Sequence, residues 1–300
     1  MEGEHDMRRL APMLLACVAL TSATRADGMA EPAAPPQPSG RWSYQFTPYG
    51  WLPWVSGDAV VRGRAFAVEQ NPAQVLESLN MVWMSYAQAK KGPLTLFNDT
   101  IYASLGSSDS LARSRRFSPN VSGTLGAALS ADYRYWTVEA GAMYEVMQWN
   151  SGLSARRTPD AVLEMLAGGR YWHQELDVNV ALAGTLNIDG LVLSGSEARA
   201  RSGSVDWVDP FIGARLRWQP APGEEVSLRG DVGGFGAASK FTWQVLATYN
   251  WYLCTHGSLV LDGYLGYRAL SVDYEQGAGV DHYEFDVLQQ GPVIGVTGRF

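Results

Sequence analysis

From Leu176 to Ile188 the chain alternates without a break, setting Leu176, Val178, Val180, Leu182, Gly184, Leu186 and Ile188 against Asp177, Asn179, Ala181, Ala183, Thr185 and Asn187. A period of two is the period of a strand, because successive side chains leave a strand on opposite faces. Three more stretches repeat it. Val121 to Tyr135 places Val121, Leu125, Ala127, Leu129, Tyr133 and Tyr135 on the apolar side, with Ser122, Thr124, Ser130, Asp132 and Arg134 opposite. Ala161 to Tyr171 turns Glu164 and Arg170 to the polar side, and Leu259 to Ala269 sets Leu259, Leu261, Leu265 and Tyr267 against Asp262 and Arg268. Past the first 26 residues there is no run of about eighteen apolar residues, so no segment can satisfy its own backbone across lipid as a helix. The expectation is an all-β chain.

Alternation alone does not separate a soluble sandwich from a membrane barrel, since either can carry one apolar face. The aromatic residues separate them. With 11 Trp and 14 Tyr, the chain places aromatics at recurring sites: Tyr133-Arg134-Tyr135-Trp136, Arg170-Tyr171-Trp172, Arg217-Trp218 before Pro220-Ala221-Pro222-Gly223, and Asn250-Trp251-Tyr252 before Thr255-His256-Gly257. Read as strand ends next to tight turns, these form a girdle at headgroup level, where a ring is apolar and its N–H or O–H stays wet. Longer polar stretches at Gly106 to Pro119, Ser151 to Pro159, Asp189 to Ser204 and Gln276 to His282 then read as outer loops. The prediction is a transmembrane up-and-down antiparallel β-barrel over residues 41–300 with about 12 strands, 10 and 14 being the alternatives. Ala59 to Val68 has the pattern of a further strand and Ala73 to Leu79 that of one or two helical turns, and the segment is placed as an outer loop folding toward the lumen. The last stretch, Glu284 to Phe300, puts Ile294, Val296, Gly298 and Phe300 on one face, with Pro292 expected at a bulge because it removes a ladder donor.

The start of the chain reads as an export signal. Arg8-Arg9 precede an apolar stretch from Leu10 to Leu20, and Thr24-Arg25-Ala26 offers small residues for cleavage, which gives a signal peptide over 1–26. A rival reading takes Leu14-Leu15-Ala16-Cys17 as a lipidation motif. Residues 27–40 are rich in Pro and Ala and read as a periplasmic linker. Of the 2 cysteines, Cys17 lies in the leader, so Cys254 has no partner for an internal disulfide, and neither a cysteine-type metal site nor a cofactor is expected. A net charge of -7 argues against nucleic acid as a partner.

Segments of the second half, Val205-Asp206-Trp207-Val208-Asp209-Pro210-Phe211-Ile212-Gly213, Arg229-Gly230-Asp231-Val232-Gly233-Gly234-Phe235-Gly236 and Gly266-Tyr267-Arg268-Ala269-Leu270-Ser271-Val272-Asp273-Tyr274, together with Gly168-Gly169-Arg170-Tyr171-Trp172, resemble a widespread family of uncharacterised proteobacterial outer-membrane β-barrel proteins. The resemblance implies the fold and the bacterial outer membrane, but no activity. The terminal Phe300 is similar to the signal read by the barrel-assembly machinery, which with membrane lipid completes the expected partners.

Inside such a barrel, two-residue turns at Trp136-Thr137 and His173-Gln174 would face Arg134 to Glu139 and Arg170 to Asp177. The acidic Asp132, Glu139, Glu145, Glu164, Glu175 and Asp177 gather on middle strands, and Arg215, Arg217 and Arg229 on later ones. Facing walls of opposite charge would set a transverse field and select solutes. On this reading Arg134, Glu139, Glu145, Glu164, Arg170, Asp177, Arg215, Arg217, Arg229 and Asp231 line a narrow porin-like channel for small polar solutes or ions. Arg229-Gly230-Asp231 is expected either to bend a strand or to offer Asp231 to a solute or cation. The alternative is a closed lumen that displays loops such as Ser194 to Ser204 with Arg199 and Arg201. A lipid-modifying enzyme is the third reading, for which His173 and His256 sit in turns and only His282, beside Asp281, stands in an outer loop.

Overall fold

The computed structural model describes residues 40–300 apart from 62–63, 119–120, 153–158, 189–190 and 280–281, and describes no side chains at 61, 64, 66, 109–118, 121–129, 180, 182–188, 191–193, 195 and 197–201. The expected signal peptide, most of the linker, Cys17 and Asp281 lie outside the described residues, as do the side chains of Arg199 and Arg201. No helix among the described residues is long and apolar enough to cross a membrane.

The strands are β1 (Ser43–Trp51), β2 (Trp54–Val61), β3 (Arg64–Gln70), β4 (Leu79–Lys91), β5 (Leu94–Ser118), β6 (Val121–Trp149), β7 (Ala161–Ile188), β8 (Leu191–Trp218), β9 (Glu224–Gly233), β10 (Phe241–His256), β11 (Leu259–Gln276) and β12 (Tyr283–Arg299). A short helix α1 (Pro72–Ser78) joins β3 to β4, started by Pro72 and by a capping box in which Asn71 and Gln74 exchange hydrogen bonds. All pairings are antiparallel. β1 and β4 to β12 form a ring of ten strands closed by β1 against β12, and β2 and β3 attach outside it as a hairpin on β12.

The expected barrel of about twelve strands is met only approximately, as ten strands in the closed ring and two outside it, and by different elements. Tyr133 to Trp136 and Arg170 to Trp172 are not strand ends. They lie inside β6 and β7, where Trp136 registers with His173 and Thr137 with Trp172. Each expected pair of short strands is therefore one continuous strand, and the expected loops at 106–119 and 189–204 are strand through Ser118 and from Leu191. The loop after Trp149 lies at the end of the ring that also holds the tight turns at Gly92, Gly223 and Gly257, not at the opposite end. The segment placed as a lumen-directed outer loop instead holds the strands β2 and β3, in keeping with the strand pattern at Ala59 to Val68, and α1 stands where the helical turn was expected.

β12 explains how a hairpin can hang from a closed ring. Its end at Val293–Arg299 pairs with β1 and its start at Tyr283–Gln290 pairs with β2, across a break at Leu52–Pro53. Pro292 sits opposite that break, accepting the Leu52 N–H at 3.1 Å, and the register of β12 with β11 runs through it unshifted. The expected bulge at Pro292 is thus absent; the irregularity is in the partner strand, where no donor is missed. Gly57, with φ +149, lets β2 approach β12, since a Cβ there would meet the Asp286 carbonyl.

Burial fixes which face is inside. Tyr135, Thr137, Glu139 and Met143 are buried along β6 while Arg134, Trp136 and Tyr144 are exposed, so the expected orientation of Tyr135 and Arg134 is inverted. In β7 the inward set is Glu164, Leu166, Arg170, Trp172 and Gln174. The reason lies in the height within the molecule. Near the termini the interior is polar and the exterior carries Phe46, Leu96, Tyr144, Met165, Ile212, Leu216, Leu228, Val245, Leu265 and Ile294, all exposed. Toward the other end the interior becomes an apolar core, where Trp51, Ile101, Tyr135, Trp172 and Trp207 meet Leu270, Val272, Tyr274, Phe285 and Val287. There β9 has ended and β4 has parted from β1, whose pairing stops at Pro48↔Ser85. The ring opens into two sheets, β4 to β8 and β10 to β12 with β2 and β3, packed through that core.

Candidate functional site

The residues brought together most closely lie across the middle of the barrel. Strand parity sends Asp99 of β5, Glu139 of β6, Arg170 of β7, Arg229 and Asp231 of β9, Thr242 and Gln244 of β10 and Arg268 of β11 into one layer. Glu139 accepts hydrogen bonds from Arg170 Nε at 2.9 Å, Arg268 Nη2 at 3.1 Å and Arg229 Nη2 at 2.8 Å. Arg170 reaches on to Asp231 at 2.7 Å and Thr242 at 2.9 Å. Arg229 Nε donates to Asp231 at 3.0 Å, and Gln244 Nε2 donates to the same oxygen at 3.2 Å. Arg268 closes the layer on Asp99 at 2.9 Å, whose other oxygen takes the Tyr49 hydroxyl at 2.7 Å. Three guanidinium groups face three carboxylates, so the layer is neutral. Side-chain exposure is 0% for Glu139, Arg170 and Asp231 and at most 4% for Arg229, Arg268 and Asp99.

Aromatic rings cover this layer on both sides. Arg170 stands 5.2 Å from the Phe211 ring and 6.0 Å from Trp172, Arg229 lies 5.0 Å from Phe97, and Arg268 lies 5.1 Å from Trp51. Planar guanidinium groups suit such a site, because they stack on rings while keeping their in-plane donors for carboxylates. Glycine makes the room below: a Cβ on Gly168 would meet both the Ala140 carbonyl and the Phe211 ring. Phe97, Met143, Leu166 and Phe211 form a small apolar layer there.

Nearer the termini a second charged layer is partly open. Glu164 accepts from Arg215 Nε at 2.5 Å and Arg217 Nε at 3.2 Å. Arg217 also reaches Glu145 at 3.0 Å and Glu225 at 3.3 Å, and Lys90 pairs with Glu145. Beyond the mid-barrel layer, Trp172, Trp207 and Tyr274 stack in a column, with ring centroids 5.5 and 4.0 Å apart. The turn from Gly234 to Lys240 is drawn against the column. Ser239 donates its N–H and hydroxyl to Asp209 at 2.8 and 2.6 Å, and its hydroxyl oxygen accepts from Trp207 Nε1 at 3.0 Å. At the rim Lys240 donates to Glu275 at 2.5 Å, a hydrogen bond that holds this carboxyl below its usual pKa range.

Eight of the ten residues expected to line a lumen point into the barrel: Glu139, Glu145, Glu164, Arg170, Arg215, Arg217, Arg229 and Asp231. Arg134 and Asp177 do not. They pair on the outer surface, with Glu175 as a further partner of Arg134 at 2.6 Å. The expected partners change as well, since the hairpins that would have faced Arg134 to Glu139 and Arg170 to Asp177 do not exist. Acidic and basic residues are joined directly, so the expected separation into two charged walls is absent. Asp231 is held by arginines, and no register shift bends β9 at Gly230. His173 is no turn residue: it lies within β7 on its outward face, with Nδ1 at 2.6 Å from Asp206, which also accepts from the Tyr171 hydroxyl at 2.6 Å. Tyr49, Asp99 and Gln244 were missed, and Arg268 was seen as inward without a role. Around Asp99 the run Asn98-Asp99-Thr100 puts polar residues on both faces of the strand, so alternation gives no signal there.

No protein family profile matches the chain, and no curated protein matches it. Among solved structures it is similar to the attachment invasion locus protein Ail of Yersinia pestis in complex with the heparin analogue sucrose octasulfate, at 10% identity over 86% of this chain and 98% of that one, with a TM-score of 0.28. A FadL homologue of Pseudomonas aeruginosa matches at 7% identity over 86% and 89%, with a TM-score of 0.24. OpdK of Pseudomonas aeruginosa with vanillate matches at 10% identity over 86% and 98%, also with a TM-score of 0.24. These neighbours are bacterial outer-membrane β-barrels, and TM-scores this low establish nothing about what this chain binds.

Proposed function

We propose that the chain is a bacterial outer-membrane β-barrel with a closed lumen, serving as an anchor that presents at the cell surface the far ends of β5 to β8, which go on pairing past the last row of β10 to β12. The belt of exposed apolar residues around a closed ring supports the membrane placement, since it satisfies every backbone group while facing hydrocarbon. The observation that carries the closed reading is the mid-barrel layer. Arg268 on one wall reaches Glu139 and Asp99 on the opposite one, and Arg170 and Arg229 fill the space between with almost no exposed surface. A porin-like channel is the weaker account, because its constriction would have to be this dry, neutral and aromatic-capped layer.

The test is liposome swelling with the full chain refolded into lipid. No influx of small sugars or amino acids is expected. Swelling that rises with the amount of barrel and falls with solute size would overturn the closed reading.

A further inference from the structure

On one side the wall of the barrel loses a strand before the core above it ends. β9 stops at Gly233, opposite Phe211 of β8 and Thr242 of β10, whereas β8 reaches that row from Leu191. Past Gly233 the place between β8 and β10 is taken by the turn from Gly234 to Lys240. The inner side of this turn is Ala238, packed against the apolar core, and Ser239, buried on Asp209 and Trp207. Its backbone is satisfied within the protein. The N–H of Gly234 donates to the Pro210 carbonyl at 3.0 Å, that of Gly236 to Ser239 at 3.0 Å, that of Ala237 to Gly234 at 2.9 Å and that of Lys240 to Asp273 at 2.8 Å, beside the Ser239 N–H on Asp209. Irregular backbone is compatible with hydrocarbon only when its polar groups are paired in this way.

The outer side of the turn is Phe235, 55% exposed. Its φ of +51 lies between those of Gly234 at +81 and Gly236 at +72, in a region that a residue with a Cβ enters only at a cost. The strained backbone turns the ring away from the core and out of the wall. Around it the exposed apolar belt runs on without a break, through Val208 and Ile212 of β8, Val232 of β9 and Phe241 and Val245 of β10. The belt then ends on charge. Asp206 is the next outward residue of β8, and Lys240 and Asp273 stand at the far end of the turn, all three exposed. Tyr171, in register with Val208, gives its hydroxyl to Asp206, so its ring lies on the apolar side of this boundary and its O–H on the polar side.

We propose that the turn from Gly234 to Lys240 is seated in the hydrocarbon of the outer leaflet, with Phe235 as its anchor and lipid acyl chains as its partner. It takes the place of the missing strand end and separates the apolar core from the bilayer. A ring left in water is unfavourable in proportion to its apolar area, and continuity with the belt gives it acyl chains as neighbours instead. A glycine-rich connection at this end of a barrel would otherwise stand in water as an outer loop. The inference rests on the outer-membrane reading above.

The test places one nitroxide label at a time, by Phe235→Cys, Val245→Cys or Lys240→Cys, in the full chain carrying Cys17→Ser and Cys254→Ser and refolded into bilayers. Collisions with oxygen, which concentrates in hydrocarbon, are compared with collisions with a nickel chelate, which stays in water. Nickel collisions are expected to be lost at 235 as they are at 245, with frequent oxygen collisions at both, and to be retained at 240. Nickel collisions at 235 equal to those at 240, with 245 still protected, would overturn the proposal and leave the membrane reading standing. Nickel access at 245 as well would overturn both, so the two failures are distinguishable. If Phe235→Cys does not fold, the unaltered protein in lipid with a diazirine on its acyl chains decides the matter. Photolysis is expected to attach lipid to residues 234–240 as well as to the belt at 241–245, and attachment to the belt alone would overturn the proposal.

Discussion

Glu139 is the residue on which the interior turns. It takes three guanidinium groups in a site without water-accessible surface, and removing it would leave Arg170, Arg229 and Arg268 with only Asp99 and Asp231 between them. Breaking a buried ion pair from one side costs about 3–5 kcal/mol, because the charge left behind has lost its solvation and its partner. Glu139→Ala should therefore lower the urea midpoint of the refolded barrel substantially. An exposed control, Arg134→Ala, should shift stability by about 1 kcal/mol or less, as surface pairs do. Equal effects of the two would contradict the placement of Glu139. At this scale the sequence was informative about direction and poor about partners. Glu164 and Arg170 were read inward and are inward, because both sit in an alternating segment of the ring. The pairs assigned to Arg170 and Arg134 were wrong because they depended on turns, and partner choice in a sheet is a property of register.

The elements show why the turns were misread. An aromatic next to a polar residue marks a hairpin end or the height at which an interior changes from polar to apolar, and the local sequence is the same in both cases. Tyr133 to Trp136 and Arg170 to Trp172 mark the second. Alternation continues through both, but apolar residues move from the outside to the inside, an inversion that a single strand pattern does not reveal. The turn from Gly234 to Lys240 was legible only as glycine-rich; its hold on Asp209 through Ser239 joins residues 30 positions apart in sequence. Asp209→Ala should release this turn, seen as faster amide hydrogen exchange at Phe235 to Lys240 with the β11 and β12 amides unchanged. The β2–β3 hairpin gives a second test. Gly57→Val places a side chain where the Asp286 carbonyl lies, so β2 should detach from β12 and its amides should lose protection. Retained protection in either variant would count against the pairing described.

Over the whole molecule, the sequence announced an alternating, aromatic-rich, closed β structure, and the ring of ten strands agrees with it. The two-sheet upper half was not legible, because an apolar core between sheets and an apolar belt around a barrel draw on the same residues and the same period. The long strands make the difference physical: about 10 residues cross a bilayer, whereas β6, β7 and β8 have 28 or 29. The surplus builds the packed core and the projection beyond it. The central claim is that the ring is shut at Glu139, and ion current tests it more stringently than solute flux because ions pass where sugars do not. In planar bilayers, full-length refolded barrel is expected to insert without steady conductance above that of the lipid. A stable ohmic current that changes its ion preference when Glu139 or Arg229 is neutralised would show a pore through that layer and would contradict the account.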